Sequence, residues 1–184
     1  ASGYDEGETG GTIHVLGDRL AFYGDGLIDV SGDIGGGTLL FGGDYQGQGS
    51  VPNAMDVFVG PNAQTFADAV NNGNGGKLIF WADRRMRFYG IVKGRGGKYF
   101  GDGGFVEVSG KEELYFDGFV DTTAANGKTG TLLLDPDNLT IAQSSGASSS
   151  AAVTVDFVTT TNATIFESTL EGASQFTNVV LLAN

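Results

Sequence analysis

The sequence predicts an all-β chain wound as a right-handed parallel β-helix, a β-solenoid with coils of about 26 residues, three strands to a coil, and a less regular C-terminal segment. Three observations predict it. The first is a phrase that recurs five times: Gly10-Gly11-Thr12-Ile13-His14-Val15, Gly36-Gly37-Thr38-Leu39-Leu40-Phe41, Gly75-Gly76-Lys77-Leu78-Ile79-Phe80, Gly103-Gly104-Phe105-Val106-Glu107-Val108 and Thr129-Gly130-Thr131-Leu132-Leu133-Leu134. Its second glycine falls at 11, 37, 76, 104 and 130, so the steps are 26, 39, 28 and 26 residues. The second observation is a pair of apolar columns, Ile13, Leu39, Leu78, Val106, Leu132 and Val15, Phe41, Phe80, Val108, Leu134, spaced two apart as one face of a strand requires. The third is composition: 32 glycines with only 3 prolines and no G-X-Y period exclude collagen and favour a β protein rich in turns.

Each element follows in order. Within the first coil, Thr12 to Leu16, Arg19 to Tyr23 and Leu27 to Val30 read as strands, separated by Gly17-Asp18 and Gly24-Asp25-Gly26, where corners want φ > 0 and glycine supplies it. The middle strand returns at Met86 to Gly90 and Leu114 to Gly118, and the third at Ile91 to Lys93 and Phe119 to Asp121. No copy buries its apolar face alone. Stacking coils at a spacing of roughly 4.8 Å supplies the missing neighbour.

The regular coils are expected over residues 1–142, with an insertion near 44–64 that accounts for the long step. Within it, Val51 to Val59 is expected to fold back over Leu40 and Ile79, which lie three residues after the glycine and so point outward. Residues 143–150 read as a polar linker or loop, and 151–184 as an irregular terminal coil with a short helix near 168–174, its start marked by the Ser168-Thr169-Leu170-Glu171 capping box. Ala1-Ser2-Gly3 matches Val30-Ser31-Gly32, the close of a third strand, so the chain is expected to be a piece of a longer one.

Charge and composition narrow the partners. A formal charge of -12 argues against nucleic acid as a bulk partner. With no cysteine, neither disulfides nor thiolate metal sites hold the fold. No apolar run reaches membrane-spanning length, so no membrane insertion is expected.

Several stretches, Gly42-Gly43-Asp44-Tyr45-Gln46-Gly47-Gln48-Gly49, Gly75 to Asp83, Gly103 to Lys111 and Leu132-Leu133-Leu134-Asp135-Pro136-Asp137-Asn138-Leu139-Thr140-Ile141, resemble the shaft repeats of filamentous-haemagglutinin-like exoproteins of Gram-negative bacteria. The resemblance covers about residues 1–142 and, more loosely, the tail. It implies a right-handed parallel β-helix, export by two-partner secretion through an outer-membrane transporter, a secreted or cell-surface location, and adhesion or filament-building roles. A structural and adhesive module, a rigid shaft segment contacting neighbouring coils of the same longer chain and binding glycan or cell-surface protein, is the expected function. The alternative is a β-helix enzyme acting on acidic polysaccharide.

Candidate chemistry is sparse, and no catalytic residue, cofactor or metal site is expected. Gly94-Arg95-Gly96-Gly97 is not followed by a helix whose N-terminus would bind phosphate, and His14 has no base or nucleophile partner in sequence. Asp25, Asp33, Asp44 and Asp102 sit in turns but lack the nine-residue spacing of a calcium-binding β-roll. The uneven feature is basic: Lys77, Arg84, Arg85, Arg87, Lys93, Arg95 and Lys98 are seven of the 10 basic residues, with Asp83 as the only acid among them. Guanidinium forks match carboxylate and sulfate, and Trp81 offers a face for a sugar ring, so Arg84, Arg85, Arg87, Lys93, Arg95 and Trp81 form a candidate site for an anionic glycan. The plainer reading pairs these side chains with acids on flanking coils.

Overall fold

Strands with one apolar face and glycine at their corners are stable only when a further strand lies against them, and here each strand is met by its equivalent from the next repeat. The computed structural model describes residues 1–143 and 164–183. The strands come in successive groups of three: β1 (Thr12–Val15), β2 (Arg19–Phe22) and β3 (Leu27–Asp29); β4 (Thr38–Phe41), β5 (Asp56–Val59) and β6 (Gln64–Phe66); β7 (Lys77–Ala82), β8 (Arg85–Phe88) and β9 (Ile91–Lys93); and β10 (Phe105–Gly110), β11 (Glu113–Phe116) and β12 (Phe119–Asp121). After them come β13 (Thr131–Leu134), β14 (Thr140–Ala142), β15 (Thr164–Phe166), α1 (Glu167–Ser174) and β16 (Asn178–Leu181).

The sheets run β1-β4-β7-β10-β13-β16, β2-β5-β8-β11 and β3-β6-β9-β12, with β14 beside β15. Every pairing between these strands is parallel. The protein is therefore mostly β, made of parallel sheets visited in rotation, an arrangement compatible with a parallel β-solenoid. Among the described residues no helix is long and apolar enough to cross a membrane.

The apolar columns are in register. Ile13, Leu39, Leu78, Val106, Leu132 and Val179 stack in one, and Val15, Phe41, Phe80 and Val108 in the other. The second sheet adds Leu20, Val57, Met86 and Leu114, and Phe22, Val59, Phe88 and Phe116, to the same core. Ile13 and Val15 are only half-buried, because β1 is an edge strand with a neighbour on one side.

The glycines of the recurring phrase serve close approach rather than unusual φ. A Cβ on Gly37 would stand 2.1 Å from the Gly11 carbonyl oxygen, on Gly76 2.2 Å from that of Gly37, on Gly104 2.3 Å from that of Gly76 and on Gly130 2.0 Å from that of Gly104. None of the four has positive φ. They form a ladder along which one coil's backbone rests on the next. The corner expectation holds at Gly24, with φ 67°.

Two expectations are corrected. Asp56 to Val59 is no part of a cover: it is β5, paired in parallel between β2 and β8, with Val57 and Val59 in the core, and the excursion is confined to the residues between β4 and β5. Phe58 hides this in the sequence, since it points away from the core yet is buried against Tyr89, leaving four apolar or buried residues in a row. The helix forms as expected, but Phe166 occupies its N-cap with no side-chain bond, so Ser168 caps nothing. The linker at 143–150, beyond Gln143, and the start of the tail at 151–163 lie outside the described residues.

A charge ladder runs beside the columns. Arg19, Asp56, Arg85 and Glu113 are register partners on successive strands, so signs alternate from coil to coil. Asp56 is fully buried and accepts from the Nε of Arg84 at 2.9 Å and from its terminal nitrogen, while Arg19 Nε lies 3.4 Å away. Asp56→Asn is expected to lower stability by about 2 kcal/mol, the usual worth of a charge-assisted bond, read as a lower urea midpoint with unchanged slope. An unchanged midpoint would remove the ladder from the account of stability.

Candidate functional site

Side chains that alternate with the core columns point away from the core, and in the first sheet they form a column of their own: His14, Leu40, Ile79, Glu107, Leu133 and Val180. The excursion between β4 and β5 crosses this column. It leaves through Gly42 and Gly43, makes one 3-10 turn at Tyr45–Gly47, and returns at Ala54, whose N–H donates to the Gly42 carbonyl at 2.7 Å. Beneath it Leu40, Ile79 and Trp81 form a small apolar cluster apart from the main core, with Val51 of the excursion packed on them. Gly47 rests on the Trp81 indole so closely that a Cβ there would lie 2.5 Å from the ring. The expected cover over Leu40 and Ile79 is thus present, formed by the residues around Gln46 to Val51.

At its far reach this strap meets two acids from later coils. The Gln46 backbone N–H donates to both carboxylate oxygens of Glu107 at 3.1 Å, and its side-chain Nε2 donates to Asp135 Oδ2 at 2.7 Å. To aim both groups, Gln46 adopts φ 54°, ψ 28°; among the described residues it is the one non-glycine residue with positive φ. Ser109 joins the pair, its hydroxyl bonding Glu107 and accepting the Asp135 backbone N–H at 3.2 Å. Glu107 is 0% exposed and Asp135 7%. Burial pushes the Glu107 carboxyl up to about 7; nearby Asp135 adds to the rise, while Gln46, Ser109 and Lys77 oppose it.

Beside the strap lies an open cavity of about 1010 Å³ whose lining includes Gln46, Asn53, Trp81, Asp83, Lys111 and Asp135. On its wall Asp83 accepts from Trp81 Nε1 at 2.8 Å and from Asn53 Nδ2 at 3.0 Å. Glu107, the group poised near neutrality, lies under the strap and not on the cavity wall. Proton transfer to a bound molecule would need the strap to move. Among the described residues no group of three or more His, Asp or Glu side chains is placed to hold a metal ion.

The expected basic site is dispersed. Trp81 lies on the first sheet, Arg85 and Arg87 on the second with Arg84 just before them, Lys93 on the third and Arg95 just after it. Arg84 is bound to Asp56, Arg85 Nε to Glu113 at 2.6 Å and Arg95 to Asp68 at 2.7 Å, each acid about one coil away. Lys93 Nζ sits 5.2 Å from the Phe66 ring centroid, and Trp81 is buried beneath the strap. Arg87 stands in register between Phe58 and Tyr115, beside the contacts of Phe58 with Tyr89 and Tyr89 with Tyr115. Those rings turn toward one another along the stack, so part of each face is taken by its neighbour.

Sequence reasoning missed Glu107, Asp135 and Gln46 as a unit. One signal was present, a lone acid in an otherwise apolar outward stretch of the column, Leu40, Ile79, Glu107, Leu133. Comparison of the chain with protein-family models and with curated proteins finds no match.

Proposed function

We propose that the chain is a structural and adhesive module: a segment of a right-handed parallel β-helical shaft belonging to a large secreted or surface-attached exoprotein of a Gram-negative bacterium, exported through an outer-membrane transporter. The observation that carries this reading is the unbroken register of equivalent residues from coil to coil, Leu39 on Leu78 on Val106 on Leu132, with glycine against glycine at the corner. Such a stack gains stability from nearest neighbours and extends without limit along one axis, which suits a spacer that presents its outer faces. The resemblance of Gly42 to Gly49 and Leu132 to Ile141 to haemagglutinin-like shafts supports the same reading. The outer faces bind cell-surface glycan or protein.

The test is a binding screen of the whole chain against anionic and neutral glycans and surface proteins, run beside an assay for reducing or unsaturated ends released from pectin and alginate. Retention on a surface ligand without product release is expected. The glycan variant combines Arg87→Ala with Lys93→Ala, two cations of the expected site, and is expected to weaken binding to a polyanion, as added salt does. Product release would overturn the reading in favour of an enzyme on acidic polysaccharide. Absence of any retention would remove the adhesive half of it.

A further inference from the structure

The strap residues have no counterpart in the other coils, and what holds them down is an arrangement of charge that is costly when fully ionised. Two carboxylates from different coils, Glu107 on β10 and Asp135 just after β13, both take their strap bonds from the neutral residue Gln46. Lys77 on β7 is the cation that acts on Glu107, and its Nζ is already 3.1 Å from Asp44 of the strap. Tyr45 of the strap packs its ring on Phe105 and beneath Lys77, and its backbone N–H is taken by Asp44 at 2.7 Å. Around the cavity edge stand Asp83, Lys111, Glu112 and Asp137, and on the first coil His14 acts on Asp44. Closing the strap with Glu107 ionised therefore buries a carboxylate beside Asp135, while the lysine that acts on it is shared with Asp44 of the strap. Taking up one proton on Glu107 removes that conflict and turns one of its oxygens into an O–H donor. The left-handed backbone of Gln46 is the local strain accepted to reach both acids at once.

The geometry points to a proton-operated latch: Glu107, buried under the strap beside Asp135, takes up one proton as the strap closes over Leu40, Ile79 and Trp81, and releases it as the strap opens. The sign follows from burial. A carboxyl raised from 4.5 to about 7 in the closed state stabilises closure fully below 4.5, and the gain is lost as pH rises through about 7. In that window the closing constant falls about tenfold per pH unit, up to about 300-fold in all. Acid closes the strap; alkali loosens it and lays open the apolar cluster. This inference is independent of whether the chain is a shaft segment.

Trp81 is the sole tryptophan in the chain and lies under the strap, so its emission and its quenching by acrylamide read the latch directly. In the intact protein the Glu107 carboxyl carbon is expected to titrate by NMR with a midpoint near 7. The protection factor of the Gln46 amide, corrected for intrinsic exchange, should fall with pH across the same window, and Trp81 quenching should rise from pH 5 to pH 8. Glu107→Gln, which keeps the shape and the acceptor, should abolish the pH dependence of protection and quenching. Histidine is the other side-chain type that titrates there, so His14→Asn is the control and should leave the dependence in place. A wild-type midpoint near 4.5 overturns the latch without recourse to any variant. So does a pH dependence that persists in Glu107→Gln or vanishes in His14→Asn.

Discussion

Replacing Phe80 by Asp is expected to abolish the native state. Phe80 is fully buried at the centre of its column, with ring centroids 5.7 Å from Phe41 and 5.0 Å from Phe88, and Phe88 in turn stacks on Phe116 at 5.8 Å. Removing the ring alone costs about 3–5 kcal/mol. The introduced carboxylate meets apolar neighbours on both flanking coils, Phe41 and Val108, and its unpaired burial costs several kcal/mol more. The sum rivals the whole stability of an ordinary domain, roughly 5–15 kcal/mol. Because coils couple chiefly to their neighbours, failure at this level severs the first two coils from those after β7. Phe80→Leu is the matched control, with an expected loss of about 1.5 kcal/mol or less and a native circular dichroism spectrum. A Phe80→Asp protein with native ellipticity and an unchanged urea midpoint would place Phe80 outside the core.

What was legible in the sequence is whatever repeats. The two columns could be found because every copy carries an apolar residue at the same two positions, and the strands of the first, third and fourth coils because their outward residues are mostly polar. The second coil was opaque for a physical reason. In Asp56-Val57-Phe58-Val59 the outward Phe58 is buried under Tyr89, so the alternation that marks a half-exposed strand disappears and the segment reads as a generic apolar run. The alternating charges Arg19, Asp56, Arg85 and Glu113 became visible only once β5 was known to lie between β2 and β8, since a register error of one residue removes the pattern.

The strap was legible in position but not in composition. A cover is expected to be apolar, yet of its residues only Val51 packs on the cluster, and the rest of the contact is Gly47 lying flat on Trp81 and Gln46 reaching for two acids. Nothing local to Glu107 or Asp135 marks them as partners: they come from different coils, and Gln46 is 61 residues from one and 89 from the other. The basic stretch misled in the opposite way. Seven basic residues close in sequence suggest one patch, but a chain that turns two corners within those residues sends them to three different sheets.

Excising the strap should turn this covered face into an associating one. Deleting Asp44 to Pro52 joins Gly43 to Asn53, a junction the fold already prepares: Gly43 lies against the Asn53 side chain, and Ala54 is bonded to Gly42. β4 and β5 keep their partners, so the coils are expected to persist. Leu40, Ile79 and Trp81, buried in the intact protein, become a contiguous apolar patch that promotes dye binding, self-association and a red shift of the Trp81 emission. The stability change is a balance. Uncovering these side chains forfeits up to about 1.5–3 kcal/mol for each. Against that, Glu107 regains water and its carboxyl returns toward the ordinary range, so the variant escapes the burden the intact protein carries when that acid is ionised. The burden is absent when the acid is protonated. The deficit of the variant should therefore be greater at pH 5 than at pH 8, by up to about 3 kcal/mol from the displacement of one carboxyl from 4.5 to about 7. A variant that stays monomeric, binds no more dye and shows the same deficit at both pH values would show that the excursion neither covers the face nor restrains the acid beneath it.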